Sequence, residues 1–385
     1  MANYSTVWRT KGVASLVSSQ LLARFPFGLM SVAFVMHVYA TQHSYAIAGI
    51  ALGAESIANG ASGPILARAL GRFGVRRTLV ISMFISAAAL LAMAFWVAPP
   101  LIVIALSALV GFASPPIQTT ARTSYPSLLS GSGLSTLFAL DANLQEIIWV
   151  LGPILATTLA AGLGTWSAIT FMAVGMSSGT LWFIANDAVK SLKLPRPNKS
   201  MLTVLKKPMV LANALTGFFL IGGFSGVEVG AVAILPKVTA GLVIGALSVG
   251  SIIGGFGIGH RLKSAKFLPV MLGISAFGYL LTFIAPTEPL WMATAWFISG
   301  LGVAPALGLL GALIGHQLDA GDSSEAYGWI NTAQVTGYSA AAAVSGILVE
   351  TVSPVAPIAL SVVFAVGAIL LSLWVVRHSP TEAHA

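Results

Sequence analysis

Uncharged, strongly apolar runs about as long as a bilayer is thick recur from one end of this chain to the other, joined by connections of only a few residues. Residues 79–97 and 101–120 show the pattern: neither run contains Asp, Glu, Lys or Arg, and only Ala98, Pro99 and Pro100 lie between them. A helix crosses the hydrocarbon with about 20 such residues. Lipid offers the backbone no hydrogen bonds, and a helix satisfies its own N–H and C=O groups within the segment. The runs therefore read as transmembrane helices. Composition agrees, with 57% hydrophobic and 8% charged residues and a mean hydropathy of +0.91, against about a quarter charged in soluble domains. The 40 glycines fit close helix contacts in lipid, where small residues are favoured. The chain has no Cys, which excludes disulfides and thiolate metal sites but leaves the compartment undecided.

Twelve spans are expected, near 13–38, 46–66, 79–97, 101–120, 134–161 and 165–185 in the first half and near 210–235, 240–259, 267–284, 291–315, 326–348 and 355–376 in the second. The faintest division falls at 237–241. The predicted organisation is a six-helix bundle over 1–186, a linker over 187–208, a second six-helix bundle over 209–377 and a tail over 378–385. The linker carries Lys190, Lys193, Arg196, Lys199, Lys206 and Lys207 among prolines, a composition that favours an extended connection. The apolar run ending near Ala40 is longer than the core of a secretory signal, and the first span is read as uncleaved.

Charge sets the sidedness. The stretch 63–77, GPILARALGRFGVRR, places Arg68, Arg72, Arg76 and Arg77 between two apolar runs, and short connections rich in Arg and Lys stay on the cytoplasmic face. Of the 19 Lys and Arg, 17 lie at the N-terminus, in alternate connections on one side, or at the C-terminus; Arg24 and Lys237 are the exceptions. The net charge of +8 thus follows the membrane, and no nucleic-acid partner is expected. The chain is expected in the inner (plasma) membrane with both termini cytoplasmic. A weaker copy of the basic stretch recurs at an offset of 189, taking Arg72 to Arg261 and Arg77 to Lys266, and the same offset takes Gly111 to Gly300 and Pro116 to Pro305. The halves read as repeats of one unit.

Twelve helices in two repeated sets of six, with a basic connection after the second, its echo after the eighth and a long central linker, resemble the major facilitator superfamily over essentially the whole chain. The stretch 67–77 is similar to that family's loop signature: Arg72, Gly74, Arg76 and Arg77 fit, while Ala67 stands at its first Gly and Gly71 at its Asp. In the family that Asp helps to latch the inner gate. The resemblance implies an all-α polytopic fold of two pseudo-symmetric six-helix bundles with a site near the midplane between them. It also implies that helices 1, 4, 7 and 10 line a cavity, that 2, 5, 8 and 11 flank it, and that the rest face lipid. Gly152 and Pro153, followed by Ala156, resemble part of the Gly-Pro-x-x-Gly signature of proton-coupled drug exporters in the fifth helix.

Ionisable residues at membrane depth are the candidates for function, because each costs at least about 2.5–3.5 kcal/mol to insert. They are Arg24 in the first span, Glu55 in the second, Asp141 and Glu146 in the fifth and Glu228 in the seventh. A carboxylate desolvated there is held in its protonated form to higher pH, so Glu146, Glu228, Glu55 and Asp141 are candidates for proton coupling. Arg24 reads as the partner of one acid, as a substrate contact, or as half of a static ion pair. Gln118, Asn143, Gln145, Trp149, Asn331, Gln334 and Tyr338 are candidate substrate contacts, each with interhelical hydrogen bonding or packing as the plainer reading. Gln334 and Tyr338 are four apart and share a helix face. Arg68, Arg72, Gly74, Arg76, Arg77 and Arg261 form the candidate gating connections. Pro115, Pro116, Gly152, Pro153 and Pro305 are candidate helix kinks.

No Walker loop, HExxH motif or Cys nucleophile is present, so neither an enzyme nor an ATP-driven pump is expected, and no cofactor or metal. The expected activity is secondary transport, most directly the export of a small organic solute in exchange for protons, with the proton gradient as the coupling ion and the chain acting as a monomer. Uptake of a sugar, amino acid or organic anion with protons is the first alternative. A non-transporting membrane sensor or assembly subunit is the second.

Overall fold

The structure, a computed structural model, describes residues 4–194, 202–262 and 264–378. The centre of the predicted 187–208 linker and residues 379–385 of the predicted tail lie outside them. The described residues hold twelve long helices: α1 (Val13–Gln42), α2 (Tyr45–Phe73), α3 (Val75–Phe95), α4 (Pro100–Ser127, interrupted at 113–116), α5 (Gly131–Leu163), α6 (Thr165–Ile184), α7 (Pro208–Ile234), α8 (Lys237–Ile258), α9 (Leu268–Leu281), α10 (Pro289–Gln317), α11 (Ala320–Thr351) and α12 (Ala356–His378). Ten of these regions are long and apolar enough to cross a membrane by length and composition. The other two, α2 and α11, are the more polar pair and pack against each other. A polar helix in a membrane protein is tolerated where protein or a cavity shields it from lipid.

Several boundaries differ from the expected ones. Most of the basic stretch is helix: α2 continues through Arg68 and Arg72 to Phe73, and the turn into α3 is Gly74 at φ 89°. Arginine near a helix C-terminus is favoured by the helix dipole, and Gly takes a positive φ without a Cβ penalty. The α7–α8 division is at Leu235 and Pro236, just before the predicted 237–241. Six residues earlier than expected, α11 starts where Asp319 caps it by accepting from the Asp322 N–H at 2.9 Å. Of the candidate kinks, Pro115 and Pro116 break α4 outright; Pro lacks the N–H and disfavours helical backbone in the residue before it. Helices α5 and α10 run unbroken through Gly152–Pro153 and Pro305.

The duplication is visible in repeated contacts. A methyl group on Gly111 of α4 would lie 2.0 Å from the Glu55 carbonyl oxygen of α2, and one on Gly300 of α10 would lie 2.0 Å from that of Leu247 on α8. The Ser86 hydroxyl of α3 donates to the Val110 carbonyl of α4 at 3.3 Å, and at the same offset Ser275 of α9 donates to Ser299 of α10 at 3.0 Å. Two packing devices thus recur in both bundles.

The bundles meet at the end that carries the basic connections. There Thr332 of α11 donates to the Gly60 carbonyl of α2 at 2.5 Å, and a methyl on Gly63 would reach the Gly328 carbonyl at 2.7 Å. Phe138 of α5 lies against Gly311 and Gly315 of α10, and Ala139 against Gly308. Toward the opposite end, a methyl on Gly49 or Gly53 of α2, or on Gly241 or Gly245 of α8, would have no neighbour within 4 Å. The halves are joined at one end and part toward the other.

Candidate functional site

Three helices of the first half each place an amide and a charged group four residues apart: Gln20 and Arg24 on α1, Gln118 and Arg122 on α4, Asp141 and Gln145 on α5. That spacing puts each pair on one face, and the three faces converge. Asp141 is fully buried at 0% exposure and is the hub. Its Oδ1 accepts from Arg24 Nη1 at 3.0 Å and from Gln20 Nε2 at 2.9 Å, and its Oδ2 accepts from Arg122 Nε at 2.8 Å. Arg24 Nη2 donates to Gln145 Oε1 at 2.5 Å, and Gln20 Nε2 also donates to the Tyr125 hydroxyl at 2.6 Å. The Gln118 amide lies against Arg122, its oxygen turned to accept from Nη1 and Nη2 at 3.2 and 3.0 Å.

Sequence reasoning placed Arg122 at the surface where α4 emerges, and missed Gln20 and Tyr125. Instead, Arg122 is 7% exposed and is the second cation on Asp141. Two guanidinium groups share one carboxylate, so the cluster of Arg24, Arg122 and Asp141 carries one positive charge in excess. The repeated amide–charge spacing was the signal that would have found it.

The other acids lie apart from this cluster. Glu146 is 7% exposed on α5 and lies beside Ser251 of α8, across the junction of the halves. Ser251 also accepts from the Ala304 N–H of α10 at 3.1 Å. Glu228 on α7 is half-buried, and its Oε2 accepts from the Tyr338 hydroxyl of α11 at 2.6 Å, within the second half. Glu55 is buried between α2 and α4, with Ser56 Oγ donating to Oε2 at 3.2 Å while Oε1 makes no well-formed hydrogen bond.

Asn143 faces the second half as well. Its Nδ2 donates at 3.0 Å to the hydroxyl of Tyr4, on a short helix (Tyr4–Arg9) ahead of α1, and that hydroxyl donates to the Gly255 carbonyl of α8 at 2.5 Å. The Tyr4 ring packs on Phe256 and His260. Burial pushes the Tyr4 hydroxyl up to about 12, so it remains a donor at neutral pH. Absence of a Cβ at Gly255 makes room for Asn143, whose Oδ1 lies 1.3 Å from where that methyl would stand.

Among the gating residues, Arg68 of α2 pairs with Glu325 of α11 across the halves at 3.5 Å, whereas Arg72, Arg76, Arg77 and Arg261 are exposed. Trp149 is half exposed on α5. Gln118, Asn331 and Gln334, from different halves, come together around one small pocket with Thr119, Arg122 and Tyr327. Tyr338, one turn beyond Gln334, is turned to Glu228 instead.

No curated protein sequence matches the chain. Among solved structures, the chain is similar to a bacterial homologue of the iron transporter ferroportin in an outward-facing state, at 13% identity and a TM-score of 0.80, over 96% of this chain and 100% of that one. It is also similar to the human organic anion transporter MFSD10 (TETRAN), at 12% identity and a TM-score of 0.74, over 94% of this chain and 98% of that one. These likenesses establish the two-bundle fold of a multi-pass membrane protein. The sequence profile of the Major Facilitator Superfamily matches residues 16–263, well over half of the chain and across the junction of its two bundles, and the chain accordingly belongs to that family of transporters.

Proposed function

We propose that the chain is a proton-coupled secondary transporter of a small organic solute, in which Glu146 carries the proton. The observation that supports this most is the position of Glu146 between the halves, buried against Ser251. When the halves rock, that contact changes, and with it the solvation of the carboxylate. A buried carboxylate favours its neutral form and a hydrated one its charged form. Protonation therefore has a different affinity in each state, which is what a ligand needs in order to shift a conformational equilibrium. On the positive-inside reading the joined end is the cytoplasmic one, and the described arrangement then opens to the outside.

Export in exchange for protons is the reading that Gly152 and Pro153 favour through their likeness to the exporter signature. Uptake with a proton is favoured by a separate observation, the excess positive charge of the Arg24, Arg122 and Asp141 cluster, which suits an anionic solute whose charge the accompanying proton offsets. Reconstituted into vesicles with an internal pH indicator, the protein is expected to move protons when challenged with a panel of lipophilic cations, sugars, amino acids and carboxylic acids. Glu146→Gln is expected to remain folded and to abolish that movement. Full proton-linked transport by the variant removes Glu146 from the mechanism.

A further inference from the structure

The pocket between α4 and α11 has a chemistry that selects a ligand. Arg122 is its cation, and Gln118, Asn331 and Gln334 line it with three amides, one from the first half and two from the second. Only the Nε of Arg122 is taken by Asp141, at 2.8 Å. Its two Nη groups carry four N–H bonds and share the single Gln118 oxygen at 3.2 and 3.0 Å. Asp141, meanwhile, also serves Arg24 and Gln20. Buried charge is ordinarily paired, yet one guanidinium charge here lacks a counterpart within the cluster. The other acids at or near this depth lie elsewhere: Glu146 beside Ser251, Glu228 bonded to Tyr338, Glu55 to Ser56 and Glu325 paired with Arg68.

A flat group with two negatively charged oxygens matches a guanidinium edge, because both N–H bonds run parallel to it. We propose that this pocket holds the carboxylate of an organic acid, which displaces the neutral Gln118 oxygen from the Nη edge of Arg122 and is held from the other half by the Asn331 and Gln334 amides. The assignment builds on the transport reading by naming the substrate class. The ligand would join the halves through its own hydrogen bonds, since Arg122 belongs to one and the two amides to the other. As the halves separate at this end, the amides leave and the carboxylate is released.

The test uses the purified full-length chain in detergent, where binding needs no gradient. Thermal stability is measured against acetate, benzoate, succinate and glutamate, with acetamide, benzamide and chloride as controls; a ligand of the folded state alone raises apparent stability. At least one carboxylate is expected to stabilise the protein where its amide and chloride do not. Arg122→Lys keeps the charge on Asp141 but loses the fork, and is expected to weaken that carboxylate by about ten-fold, as is the loss of one charge-assisted hydrogen bond. Gln334→Ala, which leaves the Asp141 cluster untouched, is expected to weaken it several-fold. The proposal is overturned if no carboxylate stabilises, if amides or chloride do so equally, or if neither variant changes the response. Carboxylate binding without proton-linked transport would defeat the transport reading alone, and transport without carboxylate binding would defeat this one alone.

Discussion

Asp141→Asn is the substitution from which the structure predicts the largest single loss of stability. The replacement has nearly the same shape, so the packing of α5 is preserved and the effect isolates charge. The native carboxylate is fully buried and accepts from Arg24, Arg122 and Gln20 at 3.0, 2.8 and 2.9 Å. Removing one partner of a buried ion pair costs about 3–5 kcal/mol, because the remaining charge is left uncompensated. Here two guanidinium groups are left, so the upper part of that range applies. At roughly 2–4 °C per kcal/mol for a unit the size of one bundle, the apparent Tm falls by on the order of 10 °C. The assay is thermal unfolding in detergent followed by intrinsic fluorescence, with Asp187→Asn, an exposed acid in the connection after α6, as the control that leaves Tm unchanged. Adding Arg24→Gln to Asp141→Asn removes one of the orphaned cations and is expected to recover part of the loss, since residues in one network do not act additively. A Tm for Asp141→Asn within about 2 °C of wild type would refute the charge argument, because that corresponds to about 1 kcal/mol or less.

Four further outcomes follow from packing and gating. Gly28→Ala places a methyl 2.2 Å from the Ile148 carbonyl oxygen; α1 and α5 must move apart, at about 1–3 kcal/mol, read by the same unfolding assay. Gly300→Ala is expected to cost a similar amount, since its methyl would meet the Leu247 carbonyl as closely as that of Gly111 would meet Glu55. Tyr4→Phe removes the bond to Gly255 and the one from Asn143, worth about 0.5–1.5 kcal/mol each, and is expected to lower the apparent Tm in the same unfolding assay. Glu325→Gln breaks the partly exposed pair with Arg68, for at most about 1 kcal/mol, and the charge-reversed double variant Arg68→Glu with Glu325→Arg is expected to restore wild-type stability.

Much of the fold was legible in the sequence because lipid imposes a simple rule, a helix wherever about 20 apolar residues occur. The offset of 189 was equally legible: beyond Gly111 and Gly300, it carries the Ser86 and Ser275 hydrogen bonds. Helix ends were read less well. Arginine in the last two turns of a helix looks like a loop by composition, as at Arg68 and Arg72, and the length of α11 depends on the cap at Asp319. The depth of Arg122 was hidden for the same reason, since an arginine near the end of a span reads as solvated until a buried acid on another helix is seen to face it. Which amides meet was not readable at all. Gln118, Asn331 and Gln334 gather at one pocket through the docking of α4 on α11, a contact between halves that no local periodicity encodes.

In the proposed mechanism the charge of Glu146 sets the balance between the two orientations of the bundles. This is tested most directly by measuring the distance between the separated ends of α5 and α8 as a function of pH. The chain has no native Cys, so spin labels at cysteines introduced at the exposed Thr158 and Leu242 report that distance alone by double electron–electron resonance. The account predicts two distance populations whose ratio changes between pH 5.5 and pH 8.5 in the wild-type background and is fixed in Glu146→Gln. The same pH dependence in both, or a single distance throughout in the wild-type background, would contradict it.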